Sequence, residues 1–293
     1  MTFSNIRAVV SYIKGRVALP LFIIIAIFSS CGRVGTDPQW REVTYTLMSY
    51  NVGSFSKYAD ELGHHSYQEV ADIIEREHPQ VIGLQETDYE GKRSDYDKQV
   101  DTLAHILGPD WQSRFIYAGY EWYGNGIIWN DEMLHLLQEH ERMELEKISG
   151  NETRSMGAVE FDDFVFLVTH LDNKSLKDKL AAVEKITSWV DEQFSHSGKP
   201  VFLVGDMNAR PTTETIEKLQ ENWIQLTPDA YTYPTDNPAK CLDYIFLFKD
   251  ADAPRVICMD SGVVTPERNP AVTKASDHSP VYVTVSWQIP LSR

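Results

Sequence analysis

The chain has 293 residues, 42% of them hydrophobic, enough to bury one large core, and no composition break, repeat or low-complexity run argues for a second domain. Its 43 Asp and Glu against 27 Lys and Arg give a net charge of −16. A protein that grips duplex nucleic acid through a positive field over its whole surface is therefore excluded.

In chain order, Arg7, Lys14 and Arg16 precede the apolar run from Val17 to Phe28. That run is too short to span a bilayer and follows positive charge, so residues 1–30 are expected to be a secretory signal. Ser29-Ser30-Cys31-Gly32 resembles the lipobox of bacterial lipoproteins, with Phe28 standing where a smaller aliphatic is usual. The resemblance implies that Cys31 is acylated and becomes the first mature residue of an exported, membrane-anchored protein. Losing the signal removes three cations and no acid, leaving −19. Residues 31–41 are polar, with Gly, Asp and Pro, and are expected to be a tether; 42–293 would be the domain. Cys241 and Cys258 are the other cysteines, and export permits a bridge without requiring one.

Thr44 to Val52 reads as a strand that delivers Asn51 to its end. Tyr67 to Glu77 reads as a helix with Val70, Ile73 and Ile74 on one face, and Pro79 to Glu86 as a second strand with Glu86 at its end. Strand, helix and strand in this order argue for a layered α/β architecture. A helix is expected from Ser94 to Leu107, with Tyr96, Val100, Leu103 and Leu107 inward, then strands near 114–118 and 126–129. Met156–Phe161 and Phe164–His170 form an expected hairpin around Asp162-Asp163, ending at His170. Lys177 to Phe194 has the clearest helical spacing, through Leu180, Val183, Ile186, Val190 and Phe194. Pro200 to Val204 is a short apolar run suited to a strand buried on both faces. Gly205 then frees the backbone to turn and lets neighbours approach closely. Asp206 and Asn208 follow, and a carboxylate and an amide at a sheet's mouth suit activating a water and holding an anionic oxygen. An ordinary strand-end turn accounts for that pair equally well. After one short helix and the aromatic, proline-rich loop around Tyr231 and Tyr233, strands are expected at 240–247, 255–264 and 280–287. Asp277-His278 lies between the last two.

Singly these residues are weak indications, but Asn51, Glu86, His170, Asp206, Asn208 and Asp277-His278 all fall at ends of apolar strands, which gather at one rim of an open sheet. The motifs Met48-Ser49-Tyr50-Asn51-Val52, Val81-Ile82-Gly83-Leu84-Gln85-Glu86, Thr169-His170-Leu171-Asp172, Val204-Gly205-Asp206-Met207-Asn208, Leu242-Asp243-Tyr244-Ile245 and Ser276-Asp277-His278-Ser279-Pro280-Val281 resemble, in order, those of the endonuclease/exonuclease/phosphatase superfamily. The resemblance spans about Thr44 to Trp287. It implies a deoxyribonuclease I-like four-layer sandwich, two mixed β-sheets flanked by helices, with a divalent-metal phosphoesterase site at the rim.

Residue by residue, it implies Glu86 as main magnesium ligand, with Asn51 beside it and Asp277 at the metal or a second one. Asp206 would deprotonate the attacking water and Asn208 would hold a phosphate oxygen. His278, oriented by Asp243, would stabilise the phosphate, and His170 would be a second donor. Magnesium, or manganese in its place, suits such oxygen ligands, whereas the histidines lack the spacing of a zinc site. Arg154 and Arg210 are the cations nearest the motifs and are candidates for substrate binding, as is Tyr231.

The expected function is metal-dependent phosphodiester or phosphomonoester hydrolysis by a monomer outside the cytoplasm, on a small or lipid-like substrate. A nonspecific nuclease is the runner-up. A non-catalytic binding module would be expected to lose Glu86, Asp206 or His278, and all three are present. The inositol polyphosphate 5-phosphatases have a tryptophan, cysteine, aspartate and arginine cluster where this chain has Lys240-Cys241-Leu242-Asp243-Tyr244. The abasic-site endonucleases have a tryptophan where Tyr50 stands. Both fit less well than deoxyribonuclease-like or sphingomyelinase-like members.

Overall fold

A computed structural model describes residues 39–150 and 152–291; the expected signal, Cys31 and most of the tether lie outside the described residues. The elements are β1 (Trp40–Asn51), α1 (Ala59–Leu62), α2 (Tyr67–Glu77), β2 (Val81–Asp88), α3 (Gln99–Leu107), β3 (Trp111–Ala118), β4 (Tyr120–Asn130), β5 (Leu136–Glu139), β6 (Met143–Leu145), β7 (Arg154–Phe161), β8 (Val165–His170), α4 (Leu176–Phe194), β9 (Val201–Asp206), α5 (Glu214–Asn222), β10 (Trp223–Gln225), β11 (Asp243–Phe248), β12 (Ile257–Val263), α6 (Val272–Ala275) and β13 (Val281–Pro290).

They form two mixed sheets, in the orders β12-β13-β1-β2-β4-β3 and β10-β11-β9-β8-β7-β5, with β6 also on β7. The parallel pairs are β1 with β2 and β8 with β9, each joined through a covering helix, and each pair sits inside its sheet. Val43, Tyr45 and Leu47 of β1 face the second sheet, meeting Phe166, Val168, Phe202 and Val204. Met48 and Tyr50 face the other way, onto α2 and α3. The outer face of the second sheet is closed by α4 and α5 through Val183, Ile186, Val190, Ile216 and Leu219. Helix, sheet, sheet, helix is thus the layer order, the four-layer sandwich expected. β8 and β9 are buried on both faces, which is why their sequences are unbroken apolar runs rather than alternating ones.

Close approach matters at two glycines. A Cβ at Gly83 would lie 2.4 Å from Val204 Cγ2, so a bare backbone lets the two sheets meet there. A Cβ at Gly205 would lie 2.1 Å from the carbonyl oxygen of Thr169, one strand away.

Several boundaries differ from expectation for physical reasons. β1 begins at Trp40, inside the expected tether, because Trp40 and Arg41 continue the ladder opposite Pro290 and Ile289. α3 begins at Gln99 rather than Ser94, since Asp95 and Tyr96 take left-handed backbone conformations that no helix admits; Tyr96, expected inward, is 67% exposed. β12 is an edge strand with its first residues exposed. Cys241 and Cys258 are both free, one buried and one exposed.

Candidate active site

The ends of β1, β2, β8, β9 and β11 converge on a cleft of about 580 Å³ lined by Glu86, Arg154, His170, Asp206, Asn208, Asp277 and His278, among others. The chain reaches these positions by leaving regular strand geometry. A register shift between β2 and β4 after Leu84 makes room for Glu86 in the left-handed region, with φ of 56°. Asn208, just past β9, is also left-handed, with φ of 46°, and its backbone N–H donates to Asp206 Oδ1 at 2.8 Å. Buried Gln99 ties these ends together, donating to Ser54 O and accepting from Asp88 N. Ser276 Oγ donates to Asn51 O at 2.7 Å and accepts from His278 N at 3.2 Å, pinning the Asp277-His278 loop to the end of β1.

The floor is a chain of hydrogen bonds and one ion pair that crosses from one sheet to the other. His278 Nδ1 donates to Asp243 Oδ2 at 2.9 Å, and its Nε2 lies 3.8 Å from Asp206 Oδ2. Asn51 Nδ2 then donates to Asp206 Oδ2 at 3.1 Å and to Glu86 Oε1 at 3.2 Å, while its oxygen accepts from Gly53 N.

Electrostatics divides the roles. Burial pulls the His278 pKa down, but the carboxylates of Asp243, Asp206 and Asp277 outweigh it and lift it to about 10, so the ring is an imidazolium. Burial and the facing Asp243 carboxylate push Asp206 up to about 7. His170 is held well below its ordinary range by burial, then by Arg154 and His278, and is neutral.

The His170 tautomer follows from its partners. Arg154 Nη1 lies 3.1 Å from Nδ1, and a guanidinium can only donate, so Nδ1 accepts and Nε2 carries the proton. Asn208 Nδ2 lies 2.9 Å from that Nε2 and also donates to Leu171 O. Two donors side by side cannot satisfy each other; together with the His278 imidazolium they suit an anionic oxygen entering the cleft.

Asp206, Asp243 and His278 are near enough to one another to hold a cation. The imidazolium charge and the bond from Nδ1 to Asp243 oppose that use, and the group works better as a proton chain. Glu86 fits a cation better: its half-buried carboxylate opens on the cleft and, among the described residues, is hydrogen-bonded by Asn51 alone. Oxygen donors of this kind match a hard divalent ion. Asn51 turns its NH₂ toward Glu86, so offering its oxygen there would take a rotation of the amide. Asp277 lines the cleft and pairs with Lys57 at 3.6 Å.

Arg154 is buried in the cleft wall, bonded to Tyr123 and His170 and paired with Glu152 at 3.0 Å. Two expected substrate contacts lie elsewhere. Arg210 is exposed outside the cleft, because its carbonyl accepts from Thr213 and the chain turns there into α5. Tyr231 is 59% exposed and does not line the cleft; the bridge between Tyr233 and Lys240 turns Tyr233 inward instead, its ring 4.7 Å from that of His278. Sequence reasoning missed Arg93, Trp122, Lys174 and Lys240, which also line the cleft. Arg93 is held by a bidentate pair with buried Asp88, at 2.8 and 2.6 Å, and lies over the Tyr123 ring.

No curated protein matches the chain in sequence. Among solved structures it is similar to a mannosyl-6-phosphatase of Bacteroides thetaiotaomicron, with 16% identity and a TM-score of 0.65 over 82% of this chain and 99% of that one. ANGEL2, a 2′,3′-cyclic phosphatase, has 13% identity and a TM-score of 0.65 over 87% and 99%. The human Nocturnin catalytic domain with bound sulfate has 16% identity and a TM-score of 0.63 over 85% and 97%. These likenesses establish the fold, and the sequence model of the Endonuclease/Exonuclease/phosphatase family matches residues 48–278, from β1 through the last of the cleft residues. With the strand-end residues gathered in one cleft and that match running through all of them, the chain belongs to the endonuclease/exonuclease/phosphatase family.

Proposed function

We propose that the chain hydrolyses a phosphoester by direct attack of water, outside the cytoplasm, on a membrane tether at Cys31. One observation carries the chemistry: His170 Nε2–H and the His278 imidazolium lie 3.5 and 3.8 Å from the carboxylate of Asp206, and the Asn208 side-chain amide lies beside that His170 nitrogen. A phosphate held by such donors faces a buried base whose pKa near 7 suits taking a proton from water at neutral pH. His278 stays protonated through Asp243 and stabilises charge on the phosphate or leaving oxygen. Arg154 fixes the tautomer of His170 and adds positive charge behind it. Glu86 would hold a divalent cation, magnesium or manganese, with Asp277 and a rotated Asn51 as further oxygen donors. When bound, such an ion neutralises charge on the phosphate oxygens.

The similar proteins with named substrates, a mannosyl-6-phosphatase and a 2′,3′-cyclic phosphatase, support small phosphoesters. Lys174 and Lys240 favour the nuclease as second reading, since they line the cleft of a chain with net charge −16. Even with Arg93 and Arg154, which pair with Asp88 and Glu152, these lysines do not make the extended basic track that duplex binding uses. The test is a magnesium-dependent screen of bis-p-nitrophenyl phosphate, soluble phosphomonoesters, sphingomyelin and plasmid DNA, with His278→Ala as control. Turnover of a small ester that depends on His278 and little on monovalent salt supports the proposal. Inactivity toward every ester, or activity equal in His278→Ala, refutes it. Processive DNA cleavage with a steep salt slope would favour the nuclease.

A further inference from the structure

The described chain enters at one end of β1, and the cleft lies at the other. β1 is entered at Trp40 and delivers Asn51 to the floor of the cleft. Its twelve residues span about 36 Å, at roughly 3.3 Å per residue step. Cys31 precedes Trp40 by nine residue steps, at most about 32 Å of fully extended chain. With β1 upright, turning the cleft down onto the bilayer that holds Cys31 would require Trp40 to stand about a strand's length above it, farther than nine residue steps reach.

The end around Trp40 also differs in character from the cleft. Trp40 is 54% exposed and Ile257 50%, and both border a groove with Pro254, Arg255 and Glu42, whose carboxylate is bonded by Ser286. An indole and an aliphatic side chain beside a cation suit the boundary between lipid headgroups and water. The turn between β11 and β12 lies at this end as well, because β11 starts at the cleft with Asp243 and runs away from it.

We propose, resting on the tethered hydrolase put forward above, that the domain stands on its membrane by the Trp40 end and turns its cleft away. Its substrate is then a soluble phosphoester arriving from the surrounding medium, and the headgroups of the anchoring bilayer are out of reach. Of the small or lipid-like substrates expected from sequence, this selects the small ones.

The test places the full-length acylated protein in vesicles of phosphatidylethanolamine and phosphatidylglycerol that carry an acceptor-labelled lipid. A donor dye is attached at Asp236→Cys, in the Tyr233 to Lys240 loop at the cleft, or at Ala251→Cys, in the turn beyond β11, each combined with Cys258→Ser. Strong energy transfer from position 251 and several-fold weaker transfer from position 236 is the expected result. Equal transfer, or stronger transfer from position 236, overturns the proposal, as does release of glycerol phosphate from the anchoring bilayer above the protein-free rate. A protein that does not float with the vesicles would remove the tether. One that hydrolyses neither a soluble nor a detergent-dispersed ester would remove the hydrolase. Both failures are thus distinguishable from failure of the orientation.

Discussion

Replacing Asp243 with Asn tests how the proton on His278 is held. Asp243 is buried, and its Oδ2 accepts from His278 Nδ1 at 2.9 Å. Burial lowers the His278 pKa, and Asp243 is the largest influence raising it, to about 10. The amide keeps the shape and removes the charge. If Asp206 and Asp277 then merely offset burial, the pKa returns to about 6.5, and at pH 8 roughly 3% of the rings carry the proton instead of about 99%. A loss of roughly thirtyfold in kcat/KM at that pH is therefore expected. The assay is kcat/KM for bis-p-nitrophenyl phosphate from about pH 5 to about pH 11 at saturating magnesium. For the native chain the profile should rise through about 7 as Asp206 deprotonates and fall through about 10 as His278 loses its proton. The variant should lose the alkaline plateau. Stability follows the same sign, because a His whose folded pKa lies above its unfolded 6.5 stabilises fully below 6.5 and loses that contribution as pH rises through 10. An Asn variant whose alkaline limb stays near pH 10 would show that Asp243 does not hold the proton.

Glu86→Gln should fold normally and recover activity only partly at high magnesium, read from a magnesium titration of rate; full activity at ordinary magnesium would remove Glu86 from the site. Asp206→Asn should lower turnover roughly a hundredfold or more with magnesium affinity nearly unchanged, and normal turnover would refute its role as base. Gly205→Ala places a Cβ 2.1 Å from the Thr169 carbonyl oxygen, so β8 and β9 must separate; a cost of about 1–3 kcal/mol should appear in denaturant unfolding, along with lost activity. Cys31→Ala should abolish labelling by a radioactive fatty acid, and unchanged labelling would end the lipoprotein proposal.

The strand-end residues were legible because buried parallel strands write themselves as apolar runs, and a polar residue closing such a run stands out. Asn51, Glu86, His170, Asp206, Asn208, Asp277 and His278 were found that way, and the structure brings them together. Cleft residues on irregular backbone had no such frame. Arg93 reaches the cleft from a 3-10 turn and is positioned by Asp88, a partner that no periodicity marks. Tyr231 and Tyr233 share a loop, and only its bridge to Lys240 decides which one turns inward. The three-residue strands β6 and β10 exist through their neighbours and are too short to show a period.

The floor of the cleft is divided between the sheets: Asn51 and Glu86 belong to one, His170, Asp206 and Asp243 to the other. Their separation is set below the cleft, where Val168 and Val204 rest on Gly83. Asn51 can reach Asp206 only while that spacing holds. The interior is therefore the ruler of the active site. Compressing it with pressure or swelling it with a bulkier side chain would retune catalytic distances without touching a catalytic group, and selection for activity would fall on valines that never meet the substrate.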